Sequence, residues 1–409
     1  NEGFEGGEAP SSPKARRRPT GAKRREASEE GGGWGVHSPE VGEADQKPER
    51  SVPLAGVAPR ADFPEAGRAA RERPTRKGRA MSGMLVDGTW KPKWEWEHDD
   101  SGDFKRQKSA FRDAIVDEPD AKHPPEAGRY RLYVSYACPW AHRTLVVRAL
   151  AGLDEALPVT AVHPDMLDDG WELKDDDGQV VPEPEIGATK LHQLYSAADP
   201  HFTGRVTVPV LWDRVRKTVV NNESREIIRQ LDHGLAKLAT RRIDLHPRDL
   251  MPRIDETLDA IYEPINNGVY RCGFAGSQEA YERAFHTLFE ALDHWDAVLG
   301  KQRYLCGSRL TAADVAMFTT LIRFDPVYYV HFKCNGKLIR QYANLSGYVR
   351  ELYQLPGIRD TVRMDHIKRH YYYSHAWLNP RRFVAAGPDL SWLDEPHGRE
   401  RLEGAPVFG

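Results

Sequence analysis

The chain has 409 residues, 58 of them Lys or Arg and 61 Asp or Glu, for a net charge of −3. That length accommodates one or two packed domains plus tails; the balanced charge excludes a global pull toward nucleic acid or membrane, and no apolar run nears the roughly 18 residues of a membrane helix. Its four cysteines, Cys138, Cys272, Cys306 and Cys334, make neither a CxxC pair nor a zinc-finger spacing, so no metal is expected and a reducing, cytoplasmic setting suits them better than a disulfide framework.

Residues 1–80 are rich in Gly, Pro, Arg, Glu and Ala and sparse in aromatics. Such a segment buries too little apolar surface to offset chain entropy. Transit peptides are basic, Ser-rich and poor in acids, and Glu2, Glu5, Glu8, Glu26, Glu29 and Glu30 argue against one. Met81 is the first methionine. The expectation is a start there, with residues 1–80 a disordered or non-native tail; a chloroplast transit peptide is the alternative. Residues 81–128 form an extension in which Trp90, Trp94 and Trp96 are expected to pack onto the folded body.

Folded structure becomes legible at Arg129. Residues 130–136 alternate and are rich in aromatic and β-branched types, which predicts a strand. Ala137-Cys138-Pro139 follows. Proline suits the first position of a helix, where its missing N–H needs no partner, and residues 144–150 carry the helix on until Gly152 closes it. Cys138 is thus predicted at a strand-to-helix junction near the N-cap, where unpaired N–H groups and the helix dipole stabilise an anion. Such surroundings lower a thiol from about 8.5 to roughly 3.5–7.5, and a thiolate at neutral pH is a competent nucleophile. A buried, inert cysteine is the plainer alternative; the Cys-Pro at the junction favours the nucleophile.

Residues 158–162 read as a second short strand, Trp171 sits in Asp169-Gly170-Trp171, and residues 174–178 form an acidic loop expected to be a solvated insertion. Residues 206–213 carry Pro209 inside a strand pattern, which places it on an edge or in a cis bond. A cis-proline edge leaves the N–H and C=O of Val208 to pair with an extended peptide, and glutathione is such a peptide. After a strand over 218–220, Asn221, Asn222 and Ser224 start a helix whose apolar face is Ile227, Ile228 and Leu231. The N–H groups and hydroxyl at Ser224 suit a carboxylate, and Glu223 suits an ammonium. The γ-glutamyl end of glutathione carries both. Glu-Ser alone reads as a plain helix cap, but the full order of elements is far more specific than any one piece.

A helical second domain follows. Ala284, Phe285, Leu288, Phe289, Leu292, Trp295 and Leu299 recur at helical spacing. Thr311 and Asp314 resemble a capping box ahead of another core helix. The basic cluster His366, Lys368, Arg369 and His370 is expected to be a solvated or salt-bridged face, and the remaining cysteines structural.

Cys138-Pro139-Trp140-Ala141, Asp169-Gly170-Trp171, residues 207–213 and Asn222-Glu223-Ser224 resemble the Xi-class glutathione transferases, the glutathionyl-hydroquinone reductases. The resemblance continues through residues 266–270, 323–328, 331–335 and 366–372 and spans about residues 84–380. It implies a glutathione transferase fold, α/β plus all-α, with a thioredoxin-like glutathione-binding domain over 129–235 and a helical domain over 248–409. It implies Cys138 as the nucleophile and Trp171, Val208, Glu223 and Ser224 as glutathione contacts. Tyr270, Tyr328 and Tyr371 are implied around the aromatic substrate. Lys190 and Arg205 are both candidates for the glycyl carboxylate, because the acidic insertion shifts the spacing. The implied activity is glutathione-dependent reduction of glutathionyl-hydroquinones through a Cys138–glutathione mixed disulfide. A second glutathione resolves it, since Ala141 stands where a two-cysteine enzyme keeps its resolving thiol. An Omega-like thioltransferase or dehydroascorbate reductase, and a non-enzymatic protein that binds glutathione conjugates, are the alternatives. The resemblance also implies a twofold homodimer.

Overall fold

The structure, a computed structural model, describes residues 82–94 and 99–408. The expectations for residues 1–80, Met81, Trp96 and the Trp94 side chain lie outside the described residues. Asp87 and Gly88 hold positive φ, 47° and 67°, the geometry that a two-residue hairpin turn requires and that Asp-Gly supplies. Across them β1 (Ser82–Val86) and β2 (Thr89–Trp94) pair antiparallel. This hairpin adds to the expected elements, although its Asp-Gly signal stands in the sequence. Leu85 and Gly204 exchange backbone hydrogen bonds of 3.0 Å, which fastens the hairpin beside Arg205. Trp90 packs onto the body as expected. Its ring stacks 4.7 Å from His192, and its indole N–H donates to Asp168 O at 3.0 Å.

The sheet follows the expected order. β3 (Tyr130–Val134), α1 (Pro139–Ala151), β4 (Val159–Ala161) and α2 (Leu191–Ala198) come first. β5 (Val210–Asp213), β6 (Thr218–Asn221) and α3 (Ser224–Arg229) complete it. The strands lie in the order β4-β3-β5-β6, with β3 and β4 parallel and the other neighbours antiparallel. Leu132, Val134, Val210 and Val220 are buried, as strands covered on both faces require. Gly152 closes α1 in the left-handed region at φ 61°. The Val208–Pro209 bond is cis, and β5 starts only at Val210, since Pro209 has no N–H to give a ladder. The extension runs along the outer edge of β6. Asp113 N–H donates to Val220 O at 3.0 Å, and Asn222 N–H to Phe111 O at 3.1 Å, so the edge strand is covered.

The helical part comprises α4 (Met251–Ile261), α5 (Gly268–Gly273), α6 (Gln278–Leu299) and α7 (Ala312–Leu321). It continues with α8 (Tyr329–His331), α9 (Leu345–Gln354) and α10 (Met364–Arg369). α6 buries Ala284, Leu288, Leu292, Trp295 and Leu299 along one stripe. α7 is buried all round and packs on α1. Asp314 Oδ2 accepts from Thr311 N–H at 2.9 Å, closing the expected capping box. π-helical turns occur at Tyr262–Asn266, Phe324–Tyr328 and His370–Ser374. Each widens the helical turn and shifts the phase of the side chains around it. The first leads into α5, which carries Tyr270; the others contain Tyr328 and Tyr371. Among the described residues no helix is long and apolar enough to cross a membrane.

Candidate active site

β3 ends at Val134 and α1 begins at Pro139, so Cys138 is the N-cap of α1, with extended backbone (φ −76°, ψ 122°). The helical part holds this turn in place. Arg323, fully buried, donates from Nε to Ala137 O at 2.9 Å and from Nη2 to Tyr136 O at 2.9 Å. Its Nη1 donates to Thr319 O at 2.7 Å and to His142 Nδ1 at 2.9 Å. An arginine is always the donor, so His142 carries its proton on Nε2, which lies 2.7 Å from Thr361 Oγ1. Burial and the Arg323 charge keep His142 neutral.

The Cys138 thiol is partly exposed and donates to Val208 O, 3.6 Å away. Desolvation raises it above the ordinary thiol value. The N–H groups of Ala141 and Trp140 and the charges of Arg323 and Arg106 act in the opposite sense, but burial outweighs them. This corrects the expected lowered thiol. The helix start stabilises the anion as predicted, while the aromatic walls remove water that would stabilise it more.

Cys138 opens on a cavity of about 440 Å³, lined also by Trp171, Val208, Glu223 and Ser224. Glu223 is the N-cap of α3. Its Oε1 accepts from Arg225 N–H at 3.2 Å and its Oε2 from the Ser109 hydroxyl at 3.0 Å. Both donors are neutral, and the carboxylate lines the cavity, where an ammonium group can meet it. Ser224 Oγ accepts from Arg143 Nη1 at 3.4 Å. Arg143 is buried, bonded to Asn266 Oδ1 at 2.9 Å and set 4.4 Å from the Trp140 ring centre. A cation thus stands behind the hydroxyl that is expected to meet a carboxylate. Arg205 lines the cavity, whereas Lys190 does not; it caps α2 and pairs with Asp169 at 2.6 Å.

The tyrosines converge on the opposite wall. Tyr270 and Tyr371 line the cavity, and Tyr328 stands behind them, fully buried. Tyr371 OH lies 2.6 Å from Tyr270 OH and 3.1 Å from Tyr328 OH. Tyr328 and Tyr270 also act on each other through their hydroxyls, so the three form one cluster. Of the three, Tyr270 and Tyr371 face the cavity. Burial raises Tyr328 and Tyr371 well above the ordinary phenol value. It raises Tyr270 too, but the hydrogen bonds from its neighbours act against that rise. Tyr270 is therefore the cavity-lining tyrosine whose neighbours ease the loss of its proton.

Arg106, Trp90, Trp140, His370 and His375 also line the cavity and were not expected there. Arg106 and Trp90 come from the extension, Trp140 from the start of α1, and His370 and His375 from the last π-helical turn and its C-cap, so no single motif marks them together. His370 corrects the reading of the basic cluster. Arg369 does pair with Asp165 at 2.8 Å and His366 with Asp176 at 3.0 Å. His370, however, is buried and stacks on Trp171 with ring centroids 4.9 Å apart. His375 Nδ1 lies 3.2 Å from His331 Nε2. The acidic loop is exposed as expected, and Cys272, Cys306 and Cys334 are buried.

Residues 137–233 match the family model for the glutathione S-transferase N-terminal domain, and residues 278–351 that for the C-terminal domain. The chain is 46% identical over 327 residues to glutathionyl-hydroquinone reductase YqjG of Escherichia coli (strain K12), covering 78% of this chain and 98% of that one. The solved Xi class GST from Natrialba magadii superposes with a TM-score of 0.74 at 50% identity, covering 80% of this chain and 99% of that chain. The glutathione-bound structure of YqjG superposes with a TM-score of 0.70 at 44% identity, covering 78% and 99%. A thioredoxin-like sheet with a Cys-Pro helix start, a helical second part and relatives of this similarity over nearly their full length place the chain in the Xi-class glutathione transferases, the glutathionyl-hydroquinone reductase family.

Proposed function

We propose that this chain reduces glutathionyl-hydroquinones to hydroquinones, with Cys138 as nucleophile and glutathione as reductant. The observation that carries this reading is the row of tyrosine hydroxyls ending in the same cavity as Cys138. A thioltransferase expels a thiolate, which needs little proton help. A reductase of aryl conjugates must protonate a ring carbon, and a shielded phenol row suits that task. Trp171, Val208, Glu223, Ser224 and Arg205 hold glutathione along the other wall.

Tyr270 delivers a proton to the ring carbon that bears sulfur, and a ring hydroxyl gives its own to solvent, leaving the neutral dienone tautomer. Cys138 loses its proton to solvent and attacks the glutathionyl sulfur as the thiolate, steadied by the Ala141 and Trp140 N–H groups. The sulfur–sulfur bond forms and the carbon–sulfur bond breaks. Its electron pair restores the aromatic ring, with the charge on oxygen, which then takes a proton. A second glutathione gives up its thiol proton, which restores Tyr270, and its thiolate attacks the mixed disulfide, releasing oxidised glutathione and returning Cys138. Overall, one conjugate and one glutathione become one hydroquinone and one oxidised glutathione.

The test is a panel of glutathionyl-hydroquinones with glutathione, following hydroquinone and oxidised glutathione by chromatography. Equimolar formation of both is expected. Cys138→Ser, nearly isosteric but a far weaker nucleophile, should abolish it with the fold intact. Mass spectrometry of the wild type in turnover should show one glutathione on Cys138. Faster turnover of dehydroascorbate or small mixed disulfides would favour the Omega-like reading. Binding without turnover, unaffected by loss of Cys138, would favour a storage protein.

A further inference from the structure

Arg106 is set in the cavity wall by the extension that precedes the sheet. Its guanidinium carbon lies 4.8 Å from the centre of the Tyr270 ring and 4.9 Å from that of Trp140. Its Nε donates to Asn267 Oδ1 at 3.1 Å. Among the described residues no carboxylate pairs with it and its terminal nitrogens bond to nothing, whereas Arg112 is paired with Glu226 and Arg271 with Asp103. Its charge reaches both Cys138 and Tyr270. An arginine held against two aromatic faces, with its fork open, is arranged to meet an anion or an aromatic ring. The carboxylates of glutathione already have Ser224 backed by Arg143, and Arg205.

We propose that Arg106 receives the ring oxygen of the departing hydroquinone as an oxyanion, and so selects conjugates whose ring carries an oxygen that can take the negative charge; this rests on the reductase function above. When the carbon–sulfur bond breaks, its electron pair moves through the ring to that oxygen. A fixed cation there is favoured more in the transition state than in the ground state, as oxyanion stabilisation requires. Tyr270 gives the proton to carbon, and Arg106 takes the charge that appears on oxygen.

The test compares wild type, Arg106→Gln and Arg106→Lys on three substrates. These are the glutathione conjugates of a methyl-hydroquinone and of a chloro-hydroquinone, and a small glutathione mixed disulfide. Arg106→Gln should lower turnover of the methyl-hydroquinone conjugate by at least about tenfold, within the effect of removing one oxyanion donor. The loss should be smaller for the chloro-hydroquinone, whose ring stabilises its own oxyanion. It should be smallest for the mixed disulfide, whose leaving charge stays on sulfur. Arg106→Lys keeps the charge without the planar fork and should lie between. Equal losses on all three substrates would overturn the proposal, since Arg106 would then act through Cys138, common to all. No loss on any would overturn it as well. A wild type that reduces the mixed disulfide but neither conjugate would overturn the reductase function and this inference together, so the two failures are distinguishable.

Discussion

Replacing Tyr371 by Phe cuts the tyrosine row at its middle. The lost hydroxyl bonds Tyr270 at 2.6 Å and Tyr328 at 3.1 Å. Two neutral hydrogen bonds are worth about 1 kcal/mol each. Tyr328 OH, fully buried, keeps only its interaction with Tyr270. The variant should thus lose about 2 kcal/mol of stability. Tyr270 keeps its place and its proton but loses the donor that steadies its oxygen as the proton leaves. A hydrogen bond to a developing charge is worth about 1.5–3 kcal/mol, so turnover of glutathionyl-hydroquinones should fall about ten- to hundredfold. Tyr270→Phe removes the donor itself and should lose at least as much, in the range of about 10²–10⁴ for a general acid. Tyr328→Phe removes one bond and orphans nothing, so about 1 kcal/mol and a few-fold in rate are expected. Activity should therefore fall in the order Tyr270, Tyr371, Tyr328, while stability falls most in Tyr371→Phe. Urea unfolding and paired rate measurements, on a glutathionyl-hydroquinone and on a small mixed disulfide, read both orders. Tyr328→Phe losing as much activity as Tyr270→Phe would refute Tyr270 as the proton donor. Equal losses on both substrates would mean that the tyrosines only shape the wall.

Burial raises the Cys138 thiol, so its alkylation by iodoacetamide should keep climbing with pH beyond about 8.5, the ordinary thiol value; a plateau already reached at neutral pH would contradict the desolvation account. Burial lowers His331 to about 3 and His370 to about 4, below the roughly 6.5 of an unfolded histidine. Their contribution to stability is complete above about 6.5 and is lost as pH falls toward those lower values, by about 2 kcal/mol each at pH 5. Urea midpoints should fall between pH 7 and pH 5 and fall less in His370→Gln; an unchanged wild-type midpoint would count against buried neutral histidines. Arg205→Gln should raise the KM for glutathione several-fold, since Arg205 lines the cavity, while Lys190→Gln should change it little; the reverse result would exchange their roles.

Much of the glutathione wall was legible in the residues because its signals are local. Pro139 can start a helix and Gly152 can end one wherever they occur, and the alternation at 130–136 needs only its neighbours. Cys138 therefore falls at the N-cap, and Glu223 and Ser224 at the next helix start, before any packing is known. The Asp-Gly turn of the first hairpin is equally local. Tertiary structure decided the rest, because the rest depends on what surrounds a group. The helix start predicts the sign of its pull on the thiol, but the desolvation that outweighs it belongs to walls built from distant segments. Arg323 braces Ala137 from 186 residues further along the chain, and Arg106 reaches the cavity on an extension that local pattern assigned only to packing. The tyrosine row is the extreme case. Tyr270, Tyr328 and Tyr371 sit in or just after π-helical turns, whose altered phase no regular helical periodicity predicts. Their meeting, and which of their hydroxyls reach the cavity, follow only from packing that buries Tyr328 and leaves Tyr270 facing the cavity.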